Sequence, residues 1–169
     1  SNGNTAQTSV SIAKGSMGNK SYTANWTPIK YNIKYELDGG VLSAANPTEY
    51  TVETETFTLN NPTKEGYIFK GWSTSLTSTS SYNATMTVEK GSTGDKEFRA
   101  VWQIITYNIS YNLNGGTLTN VSNPTSYNTT TETFTLKNPT RKGYTFKGWT
   151  GSNGNTAQTS VSIAKGSMG

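Results

Sequence analysis

Gly66-Tyr67-Ile68-Phe69-Lys70-Gly71-Trp72 returns 77 residues later as Gly143-Tyr144-Thr145-Phe146-Lys147-Gly148-Trp149, with six of the seven positions unchanged. Each copy follows an Asn-Pro-Thr turn (Asn61-Pro62-Thr63; Asn138-Pro139-Thr140) and a charged pair, Lys64-Glu65 or Arg141-Lys142. Successive side chains of a strand point to opposite faces, so Tyr67, Phe69 and Gly71 line one face. A glycine at such a place lets a neighbouring backbone come close, or marks a bulge that re-aims the next side chain. Trp72 and Trp149 then read as core anchors, because large aromatics supply much of the burial in a small core. The competing reading is a stacking platform for a sugar or a peptide.

Working outward, the repeat organises the whole chain of 169 residues. Ile29, Tyr31, Ile33, Tyr35 and Leu37 alternate with Lys30, Asn32, Lys34, Glu36 and Asp38, which predicts a strand ended by the tight turn Asp38-Gly39-Gly40. Phe57 and Leu59 predict a second strand, Gly66–Trp72 a third, Met86 and Val88 a fourth, and Phe98, Ala100 and Trp102 a closing one. Ile105, Tyr107, Ile109, Tyr111 and Leu113 open a second round, followed by Asn114-Gly115-Gly116, Phe134/Leu136, Gly143–Trp149 and Val161/Ile163. Upstream, Val10 and Ile12, a Gly-rich turn, then Tyr22, Ala24 and Trp26 read as strand, turn and strand. The expected organisation is a closing fragment plus linker at 1–30, a complete unit at 31–106, and a unit at 107–169 without its closing strand. No stretch has a helical period, although one short helix has room between Val41 and Tyr50 or between Ser73 and Tyr82. The expected fold class is mainly β, in tandem small units.

Composition narrows the function. Cysteine is absent, so units this small fold without disulfides, and histidine is absent, which removes the commonest general base and metal ligand. A polar, weakly charged, Tyr- and Trp-rich chain suits β-structure on an exposed surface. No run approaches a membrane-spanning length. Residues 31–106 carry six Lys/Arg against nine Asp/Glu, whereas residues 107–169 carry five against Glu132 alone. One unit is acidic and the next basic, and both are too sparsely charged to track a phosphate backbone.

Three motifs carry a resemblance: Tyr-x-Ile-x-Tyr-x-Leu-(Asp/Asn)-Gly-Gly, Asn-Pro-Thr-(Lys/Arg)-x-Gly-Tyr-x-Phe-Lys-Gly-Trp, and Lys-Gly-Ser-x-Gly-(Asp/Asn)-Lys-x-(Phe/Tyr)-x-Ala-x-Trp. In order and spacing they resemble the internalin B-repeat, also called the Listeria–Bacteroides repeat, over essentially the whole chain. The resemblance implies a compact β-grasp-like, ubiquitin-related unit in secreted or wall-attached bacterial surface proteins, usually in tandem. It implies no catalytic residues, no cofactor and no metal.

Candidate chemistry in the residues themselves is thin. Glu53 and Glu55 could pair as carboxylates, but the second unit has Thr130 and Glu132 there. Lys90 and Lys96 flank a Gly-rich turn that could cradle an anion. Asn-x-Ser/Thr matches at Asn19, Asn25, Asn83, Asn108, Asn120 and Asn128 are expected by chance in such a composition. A Lys–Asn isopeptide bond would need a buried Lys, Asn and acid together.

The expected function is a non-catalytic spacer and weak interaction module on a bacterial cell surface or wall, meeting host or neighbouring-cell components. The alternative is a glycan-binding module using Tyr and Trp faces. Neither nucleic acid nor membrane insertion is expected. Ser1–Gly18 is identical to Ser152–Gly169, so the chain reads as a window on a longer tandem array. A second unit without its closing strand predicts head-to-tail contacts between copies through Asn19, Tyr22, Ala24 and Trp26.

Overall fold

The computed structural model describes residues 5–169, and among them every regular element is a strand. The first unit holds β1 (Tyr31–Glu36), β2 (Glu49–Tyr50), β3 (Phe57–Thr58), β4 (Tyr67–Ser73), β5 (Thr87–Val88) and β6 (Lys96–Ile104). Four of these form a mixed sheet in the order β2-β1-β6-β4, and β3 pairs with β5. β6 is the spine of the sheet. It runs parallel to β1 from Ile33↔Lys96 to Glu36↔Arg99, and antiparallel to β4 from Tyr67↔Ile104 to Ser73↔Arg99. First and last strands thus lie side by side, an order compatible with the β-grasp-like unit that the resemblance implies.

Strand alternation accounts for what is buried. Ile33 points inward between exposed Asn32 and Lys34, and Phe98 and Ala100 of β6 meet it in one core with Tyr50, Leu59, Trp72 and Val88. β1 ends in a hairpin-type turn in which Asp38 (φ 49°) and Gly39 (φ 82°) both take the left-handed region, and Gly40 N–H donates to Leu37 O at 2.9 Å.

Both expectations for Gly71 hold at once. The β4–β6 register slips between Phe69 and Gly71, which is the bulge. At φ 146° a side chain on Gly71 would put its Cβ 2.3 Å from Asn83 O, which is the close approach. Next to the bulge, Trp72 meets Phe69 in a T-shaped contact, with ring centroids 5.5 Å apart and planes at 70°. Trp72 is fully buried, at 0% exposure, and its indole N–H donates to Asn61 Oδ1 at 3.1 Å.

The second unit holds β7 (Tyr107–Asn108), β8 (Ser126–Tyr127), β9 (Phe134–Thr135), β10 (Trp149–Gly151), β11 (Gly154–Gln158) and β12 (Ser162–Ile163). β7 pairs with β8, β12 with β9, and β10 with β11, all antiparallel. The expected strands over 107–113 and Gly143–Trp149 are cut short: only Tyr107–Asn108 forms a ladder in the first, and in the second the ladder begins at Trp149, with Tyr144 making an isolated bridge to Arg141. The cause is visible in the first unit, where β6 holds β1 beyond Asn32 and all of β4. Among the described residues no strand does this for the second unit. No helix forms at 41–50 or 73–82.

Upstream, residues 5–27 are all exposed and carry no strand, so the strands expected around Val10, Ile12, Tyr22, Ala24 and Trp26 are absent; the first four residues of the duplicated Ser1–Gly18 lie outside the described residues. The turn between them does form, with Ser16 N–H donating to Ala13 O at 3.1 Å. Its duplicate closes in the same way, Ser167 to Ala164 at 3.1 Å. A turn is satisfied by its own neighbours, whereas a strand needs a partner for its backbone groups.

The units abut. β6 ends at Ile104 and β7 starts at Tyr107. Between them, Ile105 N–H donates to Gly66 O at 2.9 Å. Gly66 is buried beneath Thr129 of the second unit, so close that an added Cβ would stand 2.2 Å from the Thr129 methyl.

Candidate functional site

The feature that sets the two units apart is a strand slot, filled in the first and open in the second. In the first, β6 brings Phe98 to 6.0 Å from the Tyr35 ring and Trp102 to 5.4 Å from Phe69. The Trp102 indole N–H donates to Leu37 O at 3.1 Å. Ala100, 1% exposed, lies opposite Trp72 in the register, where a larger side chain would collide with the indole. Arg99 forks onto Asp38 (Nε to Oδ2 2.7 Å, Nη2 to Oδ1 3.0 Å) and donates to Leu76 O at 2.6 Å. The hydrogen bond to Asp38 holds the guanidinium above its ordinary pKa. At the entry to the strand, Asn32 N–H donates to Asp95 Oδ1 at 2.7 Å.

The second unit builds the same walls. Tyr111 and Phe146 stand 5.9 and 5.6 Å from Trp149, as Tyr35 and Phe69 stand 6.0 and 5.5 Å from Trp72. Trp149 donates to Asn138 Oδ1 at 2.9 Å, and Tyr111 OH to Pro124 O at 2.7 Å, matching Tyr35 OH to Pro47 O at 2.8 Å. Asn123 clamps Lys137 from both sides (2.7 and 3.0 Å) as Asn46 clamps Asn60. Between the walls lies a cleft of about 590 Å³, lined by Tyr111, Leu113, Arg141, Phe146 and Trp149. Trp149 is therefore half-buried, not the closed core anchor expected from its sequence.

The cleft sets half-buried Tyr111, Leu113, Phe146 and Trp149 beside polar and basic residues that are exposed. Arg141 and Lys147 are the charged residues that line it, and no carboxylate does. The Arg141 guanidinium lies 3.9 Å over the exposed Tyr144 ring and donates to Asn114 O at 3.1 Å. Burial pushes the Tyr35 phenol up to about 12, and pushes Tyr111 up as well. Loss of water around the phenolate causes both shifts.

Asn19, Tyr22, Ala24 and Trp26, the expected contact residues, are exposed and lie outside any strand; Tyr22 is 52% and Trp26 90% exposed. Glu53 and Glu55 do not converge on a shared task, since Glu55 pairs with Lys90 at 2.5 Å, as Glu132 pairs with Lys165 at 2.6 Å. Lys96 leans over the Tyr50 ring at 5.5 Å, away from that pair, so the two turn lysines build no anion cradle. No lysine is buried among the described residues, so the arrangement needed for an isopeptide bond is not formed.

Three contacts escape sequence reading: the Asn61 and Asn138 acceptors for the Trp indoles, the Arg99–Asp38 fork, and the Gly66–Thr129 joint. Only the first had a signal, the recurrence of Asn ahead of each Pro-Thr.

A pair of small β-units, joined end to end and alike in frame but not in filling, defines a tandem repeat module. The chain belongs to the Listeria-Bacteroides repeat domain family, whose model matches residues 31–101 and 107–168. A Gly-rich membrane protein of Evansella cellulosilytica is 32% identical over 128 residues, which is 75% of this chain and 14% of that protein. The chain thus spans a small part of the relative it matches. No solved structure matches the chain.

Proposed function

We propose that these units act as a non-catalytic, stiff spacer in a bacterial surface protein, setting an adhesive partner at a distance and offering weak lateral contacts. The observation that carries this reading is the joint between units. Only Ile105 and Thr106 separate β6 from β7, Ile105 is hydrogen-bonded back to Gly66, and Thr129 packs onto the same glycine. A two-residue link pinned at both sides leaves little freedom for one unit to swing against the other.

Family membership and the sparse, unconverged titratable groups support a role without turnover. No helix among the described residues is long and apolar enough to cross a membrane. The glycan alternative draws on exposed aromatics, but of Tyr22, Trp26, Tyr82 and Tyr144 only Tyr82 lies outside both the cleft and the upstream segment patterned like β6. Small-angle scattering of the chain tests the spacer reading. The expected result is a single elongated particle with a fixed angle between units. Gly66→Ala, which drives a Cβ into Thr129, should broaden that distribution, and a broad distribution in the unaltered chain would refute the rigid joint.

A further inference from the structure

We propose that the first unit is built to bear tension along the chain: a pull on its two ends shears β1 against β6 and loads the whole ladder between them at once. This deepens the spacer reading and rests on it for its use, because a stalk is pulled whenever the partner it carries is held.

The topology sets the direction of the load. β1 and β6 lie side by side and parallel, paired from Ile33↔Lys96 to Glu36↔Arg99. The chain enters at the start of β1, Tyr31, and leaves at the end of β6, Ile104. These points lie at opposite ends of the parallel pair, so tension draws β1 backward and β6 forward along their common axis. Both leads are tied to the sheet: Lys30 Nζ donates to Glu49 Oε1 at 2.8 Å, and Ile105 N–H continues the line of β6 by donating to Gly66 O at 2.9 Å. The evenly spaced hydrogen bonds of the parallel ladder then stretch together, and no end pair opens before the rest. β2 to β5 lie between the two in sequence and are pulled straight only after that ladder parts.

Side chains brace the ladder at both ends. At the start, Asn32 N–H donates to Asp95 Oδ1 at 2.7 Å. At the far end, Arg99 forks onto Asp38 at 2.7 and 3.0 Å, and the Trp102 indole N–H donates to Leu37 O at 3.1 Å. Each of these bonds joins β6 or its lead-in to β1 or the turn after it, so each is loaded with the ladder. Beneath them Ile33 and Phe98 are buried, and the Tyr35 ring lies 6.0 Å from Phe98 with planes at 29°. That apolar floor keeps water off one side of the ladder until the strands slide. With no cysteine in the chain, no disulfide shares the load.

The same unit should be weak when pulled another way. If β6 is held at its beginning instead of its end, both points of force lie at one end of the pair. The ladder then opens like a zipper from Ile33↔Lys96, one pair at a time, and the fork at Asp38 is met last. Resistance is thus a property of direction, separate from the equilibrium stability of the unit, because forced unfolding is governed by the barrier along the pulled path. The residues that carry it all lie within 31–106, with further chain on both sides.

Single-molecule pulling of the full chain is the test, and the lack of cysteine lets introduced thiols fix the points of force. One chain carries Thr27→Cys and Thr106→Cys, which shear the pair; the other carries Thr27→Cys and Thr93→Cys, which peel it. All three threonines are exposed. At one pulling rate the shearing chain should rupture at several-fold the force of the peeling one, releasing the length of the whole unit. Asp38→Asn keeps the left-handed turn, as Asn114 does in the second unit (φ 48°), but removes the charge held by Arg99. It should lower the shearing force and leave the peeling force unchanged, since the first pairs to open set the latter. Equal forces from the two anchorings overturn the proposal, as does an Asp38→Asn chain that weakens both alike or neither. The anchors flank one unit, so a flexible joint found by scattering would refute the rigid spacer and leave this outcome untouched.

Discussion

The filled unit at 31–106 and the open one at 107–169 share a frame of turns and side-chain clamps, and differ most in the strand β6 that the first alone contains among the described residues. Indole-to-Asn, Tyr-to-Pro carbonyl and Asn clamp contacts recur with distances that agree within about 0.2 Å. The frame of a unit is therefore made by its turns and their side-chain clamps, without the closing strand. What the strand adds is burial. Ile33, Tyr50, Leu59, Trp72 and Val88 are buried in the filled unit, while Ile109, Tyr127, Leu136, Trp149 and Ile163 are only half-buried in the open one. It also adds pairing, because β1 and β4 lie against β6 for most of their length. Turns and clamps specify the shape; the strand closes the core.

The largest effect expected from this difference is at the two tryptophans. Trp72→Ala should cost about 3–5 kcal/mol, the range for a fully buried aromatic with a cavity left behind. Trp149→Ala removes a side chain that already faces a cleft and should cost about 1–2 kcal/mol, since less area leaves contact and no closed cavity is made. Hydrogen exchange read residue by residue assigns each loss to its unit. Equal losses would mean that the open slot is no weaker a core than the filled one, and the comparison would fail.

A smaller effect of opposite sign is expected at the joint. Thr129 Oγ1 is buried with no hydrogen-bond partner among the described residues, and the matching position in the first unit is Val52. Replacing a buried, unsatisfied hydroxyl by a methyl of the same shape removes a desolvation cost. Thr129→Val should therefore stabilise the chain by about 1 kcal/mol in chemical denaturation. Destabilisation would show that the hydroxyl has a partner after all, and would weaken the case for a dry, rigid contact between units.

How much of this was legible in the residues follows from the same contrast. The repeat, the mainly β class, the Gly71 bulge and the Asp38-Gly39 turn were all readable, because each depends on local backbone preference or period-two alternation. Alternation cannot say whether a partner is present. Val10 and Ile12 alternate as Val161 and Ile163 do, in identical sequence, yet Ile163 lies in β12 against β9 while Ile12 is 60% exposed. The strand reading at 107–113 overshot for the same reason. The slot itself had only an indirect signal, the absence of a Phe/Tyr-x-Ala-x-Trp stretch within residues 107–169. The Gly66–Thr129 joint had none, since nothing in a threonine on a turn reveals which glycine of the preceding unit lies beneath it.

The smallest effect is a pH dependence that reads the filling of the slot directly. Tyr35 and Tyr111 occupy matching places, and burial alone raises both phenols above their ordinary value, Tyr35 to about 12 from 10.0. A folded-state pKa above the unfolded one means that the folded chain keeps a proton that the unfolded chain releases. The contribution to stability is then whole below pH 10 and is lost as the pH rises from 10 toward 12. Tyr35→Phe should flatten the stability curve of the first unit across that window and leave it unchanged at neutral pH, apart from the lost hydrogen bond to Pro47 O. Tyr111 begins with a cleft beside it, so tyrosinate absorbance should resolve it as titrating below Tyr35. A Tyr111 titration as high as that of Tyr35 would show that the cleft leaves the second phenol as dry as the first, and the comparison would lose its basis.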